Sequence, residues 1–176
     1  METWLECETV YEGKIVTLKR GRVRLDDGAE AVREVVEHNG GVVIAPCLGD
    51  SVVLVRQYRI AVGKELLELP AGKLEGEEEP VERGRSELEE ETGYRAGQMI
   101  PAGHFYPSCG FLTEDLHLFL ALDLEKTRQN LEWDEVIEVV EMPLSEVRQR
   151  LRAHAFDDAK TIIGLHALLA HFEPQK

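Results

Sequence analysis

The amino-acid sequence predicts one α+β domain preceded by a small β extension. Short β-branched runs separated by turn residues come first, one highly charged helix follows, and two later segments carry apolar residues at helical spacing. With 176 residues, of which 43% are hydrophobic, the chain can bury one substantial core. We expect the extension to comprise residues 1–38 and the main domain residues 39–176.

The extension is expected to form a small antiparallel sheet. Residues 15–25 and 31–38 are predicted strands, because the sequence Asp26-Asp27-Gly28 between them is a strong turn signal. A two-stranded hairpin alone is marginally stable in water, so this sheet should pack against another surface.

The main domain should begin with a β-hairpin. Residues 41–47 and 51–57 are apolar and β-branched, and the sequence Leu48-Gly49-Asp50 separates them. The remaining predicted elements are strands over 65–70, 98–106, 117–124 and 136–142 and helices over 144–153 and 159–172.

The charged helix is predicted over residues 80–92. Pro80 stands in its first turn and Gly93 lies just past its end, which are the expected start and stop signals of a helix. One stripe of this helix can pack inward, and it consists of Val81, Leu88 and Thr92.

The same helix carries a group of carboxylates. Glu87, Glu90 and Glu91 lie at positions i, i+3 and i+4, so they share one face, which we expect to lie opposite the stripe that packs inward. A glutamate run is often only a solvated helix face, but like charges this close repel each other, which favours a cation between them. The segment 68–91 carries ten carboxylates and three basic side chains. Its charge of −7 is half of the net charge of −14 of the whole chain.

Charge and hydropathy exclude several classes of protein. The net charge of −14 argues against a nucleic-acid backbone or an anionic membrane as a partner. No apolar run approaches the ~20 residues that span a bilayer. Residues 1–5 do not resemble a secretory signal peptide, so we expect a cytoplasmic protein. The three cysteines are odd in number and lack metal-ligand spacing, so neither a disulfide framework nor a zinc site is expected.

The spacing around the carboxylates resembles the box of the Nudix hydrolase family. The matching positions are Gly72, Glu78, Glu87, Leu88, Glu90, Glu91, Gly93 and Tyr94. Flanking segments that resemble the ADP-ribose pyrophosphatase branch of that family are 13–16, 55–59, 68–73, 106–110 and 158–161. The resemblance covers nearly the whole chain. It implies a mixed β-sheet sandwiched between helices, and a homodimer in which the N-terminal sheet takes part.

The chain departs from the family pattern at several places. Ser86 stands where the family has arginine, and Cys109 stands where this branch has proline. Some relatives hold adenine between N-terminal tryptophans, which neither Ile15 nor the segment 29–31 provides. Arg83 lies four residues before Glu87, so it can pair with that carboxylate and compensate for Ser86.

The resemblance implies a Mg²⁺ site, with Mn²⁺ as the alternative. Glu87 and Glu91 would be the main ligands, Glu90 a further one, and the backbone carbonyl of Ala71 would join them. Gly72 would let the backbone bend close to the metal. Oxygen ligands of this kind suit Mg²⁺, and the sequence leaves the number of ions open.

A general base is implied in the loop before the last strand. Glu135 is our choice for this base, and Glu91 is assigned to catalysis as well as to metal binding. Glu132, Asp134 and Glu138 lie within the same seven residues, and the sequence does not choose among the four acids.

For the substrate, the resemblance points to residues in three separate segments. Arg59 is similar to a residue that binds the nucleotide or its phosphates, and Glu114 to one that binds the ribose part. Arg33 would join the nucleotide pocket of the partner subunit. Strand alternation places Arg56 and Arg59 on opposite faces, so only one of them can readily enter the site.

The resemblance implies Mg²⁺-dependent hydrolysis of ADP-ribose to AMP and ribose 5-phosphate. Two alternatives stay open. One is a Nudix enzyme for another nucleoside diphosphate compound, such as a nucleotide sugar or a dinucleotide. The other is a weakly active ligand-sensing protein, which Ser86 favours and the intact glutamates disfavour.

Overall fold

The computed structural model of the protein describes residues 1–76 and 78–173. These residues form three helices and ten strands, and the strands make two sheets. They divide into two compact units. The first unit comprises Met1–Gly40 and Tyr106–Asp115, and the second comprises Gly41–Phe105 and the chain from Leu116 onward.

The first unit contains a small antiparallel sheet, as predicted. Its strands β1 (Thr3–Glu12), β2 (Thr17–Arg24) and β3 (Glu30–Glu37) pair in the order β1-β2-β3. The prediction of two strands was incomplete because β1 was missed. All ten residues of β1 are exposed and two register shifts interrupt its pairing with β2, so its sequence lacks the alternation of a half-buried strand.

The first unit also includes a segment that lies far from the N-terminus in sequence. The backbone N–H of Val36 donates to the carbonyl of Phe111 (2.7 Å), and the N–H of Thr113 donates to the carbonyl of Val36 (3.0 Å). The segment Tyr106–Asp115 thereby pairs with the end of β3. A boundary drawn at residue 38 does not include this segment.

The second unit contains a seven-stranded mixed sheet with the path β10-β5-β4-β9-β8, to which β6 adds beside β5 and β7 beside β4. Strands β4 and β9 run parallel, and the other pairs are antiparallel. The strands are β4 (Gly41–Leu48), β5 (Ser51–Arg59), β6 (Lys64–Glu68), β7 (Ala71–Lys73), β8 (Tyr94–Phe105), β9 (Leu116–Lys126) and β10 (Glu138–Pro143).

Helices cover both faces of this sheet. The helices are α1 (Pro80–Thr92), α2 (Leu144–Arg152) and α3 (Ala159–His171). Side chains of β4 alternate between two buried clusters: Val42 and Ile44 pack with Leu88 of α1, while Val43 packs with Leu165 of α3. The predicted sheet between helices is confirmed.

The predicted elements recur with small shifts in their ends, and α1 has the predicted bounds. The strand predicted over 65–70 ends at Glu68, and the glycine segment after it forms β7, which was not predicted. Its three residues pair with β4, and a run this short gives no periodic pattern. Among the described helices, none is both long and apolar enough to cross a membrane.

Candidate active site around a buried glutamate pair

The inner face of α1 is wider than the sequence predicted. Glu87 (6% exposed) and Glu91 (4% exposed) are buried together with Leu88, whereas Glu90 is only half-buried. The prediction that the carboxylates lie opposite the inward stripe was therefore wrong for two of the three. Glu87 and Glu91 are one turn apart and lie beside Leu88 on the inward side of α1. Packing of Leu88 therefore also brings this pair toward the sheet.

The space for the glutamate pair comes from β7. The backbone N–H of Ala71 donates to Oε2 of Glu91 (3.1 Å). A Cβ atom placed on Gly72 would lie 1.6 Å from Oε1 of Glu87. A side chain at position 72 would therefore require the Glu87 side chain to move, which gives Gly72 a steric role between β7 and α1.

The two buried carboxylates resist ionisation. Burial, followed by the charge of Glu87, raises the pKa of Glu91 to about 8. Burial also raises the pKa of Glu87 to about 7, against the lowering effect of the Arg83 charge. The site therefore has a deficit of positive charge at neutral pH, and a cation beside both groups would relieve it.

Arg83 supplies part of the missing positive charge. Its guanidinium Nη2 donates to Oε1 of Glu87, in an ion pair whose side chains are 22% and 8% exposed. The predicted pairing of these two residues is thus present. Ser86, at the position of the family arginine, is half-buried on the same helix.

A second charged network is centred on Glu68, the last residue of β6. Glu68 (1% exposed) accepts two hydrogen bonds from Arg59, at 2.7 and 2.8 Å, and a further one from Lys160. Burial alone would raise the pKa of Glu68, but the Arg59 hydrogen bond and the Lys160 charge bring it below its usual value. Lys160 also donates to Asp158 (2.9 Å). Arg59, whose side chain is 42% exposed, is therefore held in a fixed orientation.

The network continues into the first turn of α3. Asp158 caps this helix by accepting hydrogen bonds from the backbone N–H (3.0 Å) and the hydroxyl (2.6 Å) of Thr161. The Thr161 hydroxyl oxygen in turn accepts from the backbone N–H of Leu69 (2.8 Å). No role for Glu68, Asp158, Lys160 or Thr161 followed from the sequence. Their segments resembled the family, but residues 92 positions apart offer no spacing rule that would have paired them.

Of the four candidate acids, Glu135 acts on the buried pair. Its charge raises the pKa of both Glu87 and Glu91. Its carboxylate accepts the backbone N–H of Glu132 (2.9 Å), which forms a short turn. Glu138 pairs instead with Arg56 (2.9 Å), and both Glu132 and Asp134 are exposed.

Arg33 and Glu114, the other two predicted substrate contacts, belong to the first unit. Arg33 forms an ion pair with Glu2, and its Nε donates to that carboxylate at 2.9 Å. Glu114 lies 3.6 Å from Nδ1 of His38, but that nitrogen already accepts the backbone N–H of Gly40 (3.0 Å).

The donor set of the second unit fits a divalent cation. Two buried carboxylates face each other with one arginine as counter-ion, and the space beside them depends on a missing side chain at Gly72. Within residues 1–76 and 78–173, no three His, Cys, Asp or Glu side chains already surround a common point where a metal could bind. Glu90, which is half-buried, would have to move to join Glu87 and Glu91.

Comparisons with known proteins agree with this fold. The NUDIX domain family matches residues 37–163. A methanol dehydrogenase activator of Bacillus methanolicus is 38% identical over 170 residues, which cover 95% of this chain and 92% of that protein. An ADP-ribose pyrophosphatase of Bacillus subtilis (strain 168) is 35% identical over 170 residues, with the same two shares.

The fold is also similar to that of a solved structure described as an ADP compounds hydrolase. Its TM-score is 0.86 at 22% identity, and the match covers 97% of this chain and 93% of that one. The two proteins thus share their fold. The chain belongs to the Nudix family.

Proposed function

We propose that this protein hydrolyses the diphosphate linkage of ADP-ribose to AMP and ribose 5-phosphate, with Mg²⁺ as its metal and Mn²⁺ as a substitute. The observation that carries the proposal is the buried pair of Glu87 and Glu91 beside Gly72, because an ionised pair in that position needs a cation. A Nudix relative that is 35% identical along 95% of the chain is an ADP-ribose pyrophosphatase, which supports the choice of substrate.

Glu87 and Glu91 would hold the metal, Glu90 would join them, and the carbonyl of Ala71 would complete the protein ligands. When bound, a divalent ion supplies charge neutralisation of the diphosphate and lowers the pKa of a coordinated water. The N–H of Ala71 meanwhile fixes the orientation of Glu91 through the hydrogen bond at 3.1 Å.

Glu135 is the proposed general base. It is the loop acid whose charge acts on both Glu87 and Glu91, which supports its choice as the group that takes a proton from an attacking water. Glu91 would assist catalysis by holding the metal in place. Glu132, Asp134 and Glu138 are the competing choices.

Arg59 is the proposed phosphate contact. Glu68 fixes one edge of its guanidinium, and the 42% exposure of the side chain leaves the rest free to meet an anion. Glu114 and Arg33 are proposed to bind the nucleoside part. For Arg33 this requires release from Glu2.

The proposed biological unit is a cytoplasmic homodimer joined through the extension of residues 1–38. Trp4, Val10, Tyr11 and Val32 are apolar side chains of its sheet that are exposed in the single chain. Exposed apolar residues grouped on one small sheet are typical of an interface with another protein surface. In that arrangement the extension would contribute to the nucleotide pocket of the other subunit.

A substrate panel tests the proposal. The purified protein is incubated with Mg²⁺ and with ADP-ribose, a nucleotide sugar or a dinucleotide, and the released phosphomonoesters are measured after treatment with phosphatase. Selective turnover of ADP-ribose is the expected result. Preference for a nucleotide sugar or a dinucleotide would transfer the same chemistry to that substrate, whereas tight binding of ADP-ribose without turnover would indicate a sensing protein.

A further inference from the structure

Arg83 occupies an unusual place relative to the carboxylates of α1. The Nudix family has an arginine at the position of Ser86, directly before Glu87, and this chain lacks it. Its structure supplies a guanidinium from the preceding turn, where Arg83 bonds to Oε1 of Glu87 at i and i+4. The arginine therefore stands three positions earlier on the helix than in the family pattern, and in this chain it pairs with Glu87.

The Arg83 pair differs from an ordinary surface ion pair on the same helix. The side chains of Arg83 and Glu87 are 22% and 8% exposed, whereas those of Arg85 and Glu82 are 38% and 67% exposed and separated by 3.9 Å. Exposed pairs of this second kind contribute little to stability. A half-buried guanidinium against a buried carboxylate restricts both groups, so it can fix the orientation of Glu87.

The surroundings of Arg83 are those of a group placed for its charge. Burial lowers the pKa of Arg83, but the charges of Glu87, Glu90 and Glu78 raise it above its usual value. Its Nε atom is buried and has no hydrogen-bond partner among the described residues. Leaving a buried donor unpaired costs about 1–3 kcal/mol, so packing alone gives no reason to keep an arginine there.

We propose that Arg83 is the positioning residue of the metal site, and that it replaces the arginine missing at Ser86. By engaging Oε1 it fixes the carboxylate of Glu87 and leaves the other oxygen for a divalent cation. The inference rests on the metal site of the proposed function. It does not depend on the identity of the substrate.

The test measures binding of Mn²⁺ to the metal-free protein by titration calorimetry, without substrate. Arg83→Met keeps an unbranched side chain of similar helix propensity and removes the charge. We expect its affinity for Mn²⁺ to fall about tenfold, as is typical when a group that orients a metal ligand is removed. Adding Ser86→Arg to Arg83→Met should restore most of the lost affinity.

Arg85 provides matched controls on the same helix. Arg85→Met removes an equal charge from a residue that bonds to the carbonyl of Ala96 (3.0 Å), and Arg85→Met with Ser86→Arg reproduces the charge of the rescued protein. Both controls should bind Mn²⁺ with nearly the affinity of the unchanged protein. A fall in affinity in Arg85→Met as large as that in Arg83→Met would overturn the proposal, since loss of a positive charge by itself should strengthen the binding of a cation.

Two further outcomes would also overturn it. Unchanged or tighter Mn²⁺ binding in Arg83→Met would make Arg83 a bystander or a competitor of the metal. Failure of Ser86→Arg to restore affinity would show that position 83 does not replace position 86. Arg83→Gln, measured in the same way, serves if Arg83→Met does not fold. ADP-ribose turnover of the unchanged protein is assayed separately, so failure of the substrate proposal is distinguishable from failure of this one.

Discussion

At the scale of single residues, Glu91 combines burial, charge and a fixed orientation. It is 4% exposed, burial raises its pKa to about 8, and the N–H of Ala71 holds one of its oxygens. A carboxylate in such a place lowers the stability of the metal-free protein when it is ionised. The ionised carboxylate becomes favourable once a cation lies beside it. Glu91 is therefore suited to binding a metal, and its charge destabilises the protein when no metal is bound.

Glu91→Gln should therefore separate stability from activity. We expect at least about a hundredfold loss of Mg²⁺-supported turnover, because the charge that holds the metal is gone. The metal-free variant should melt at the same temperature as the unchanged protein or higher at about pH 8, since a neutral amide replaces a group that resists ionisation. Turnover assays and thermal melts without metal measure the two effects. Full activity would exclude Glu91 as a ligand.

The raised pKa values of Glu87 and Glu91 predict how stability depends on pH. Both values, about 7 and about 8, exceed the ordinary value of 4.5. The folded state thus binds more protons than the unfolded state, and the resulting stability is fully present below about pH 4.5 and is lost as pH rises through 7 and 8. The melting temperature of the metal-free protein should therefore fall between about pH 6 and about pH 9.

The double variant Glu87→Gln/Glu91→Gln serves as the control for this pH dependence. Neither glutamine titrates, so the slope of melting temperature against pH should become much flatter over the same range. Saturating Mg²⁺ should flatten the slope of the unchanged protein too, because a bound cation favours both ionised carboxylates. An equal slope in the double variant would assign the titration to other groups.

Glu135 is the residue on which the proposed base depends. Glu135→Gln should lower turnover by about 10²–10⁴-fold, the range that a general base contributes, with little change in Mn²⁺ affinity. Glu132→Gln changes an exposed acid in the same turn and should have little effect. Steady-state kinetics and Mn²⁺ titration distinguish the roles. If Glu132→Gln or Glu138→Gln is the impaired variant instead, Glu135 is not the base.

At the scale of elements, the first turn of α3 is tied to the segment between β6 and β7. Lys160 and Arg59 both pair with the buried Glu68, while Thr161 accepts the N–H of Leu69. This segment leads directly to Ala71, whose N–H orients Glu91. The first turn of α3 thus fixes the backbone segment that orients Glu91 on α1.

Lys160→Met should lower the free energy of unfolding by about 3 kcal/mol, which is typical when a buried ion pair loses one partner. The double variant Glu68→Gln/Lys160→Met should recover part of that loss, because it no longer leaves a buried carboxylate with one partner fewer. Urea unfolding of the two variants measures both values. A double variant that is less stable than Lys160→Met would contradict the prediction.

At the scale of the whole molecule, the exposed sheet of the first unit predicts a homodimer. We expect a dimer by light scattering at micromolar concentration. Val10→Lys/Val32→Lys should convert it to a monomer, because these side chains, 53% and 54% exposed, would then carry charge into the contact. Val62→Lys alters an apolar residue of similar exposure, 56%, in the second unit and should leave the dimer intact. A monomeric unchanged protein would refute the prediction.

The sequence by itself determined the local elements and the chemistry of the site. Helix α1 has its predicted bounds because Pro80 and Gly93 are start and stop signals that act within one turn. The hairpin at Leu48-Gly49-Asp50 and the sheet between two layers of helices also followed from local patterns and the family resemblance. The spacing of Glu87, Glu90 and Glu91 likewise placed three carboxylates on one helix face, since positions i, i+3 and i+4 are neighbours there.

Only the tertiary structure decided what surrounds those carboxylates. Periodicity assigns residues to faces of a helix but does not state which face a distant backbone will cover, so the burial of Glu87 became visible only with β7 and Gly72 in place. Lys160 and Glu68 meet across 92 positions, and Tyr106–Asp115 joins a sheet formed far earlier in the chain. Such contacts depend on how the whole chain packs, because no local propensity links residues so far apart.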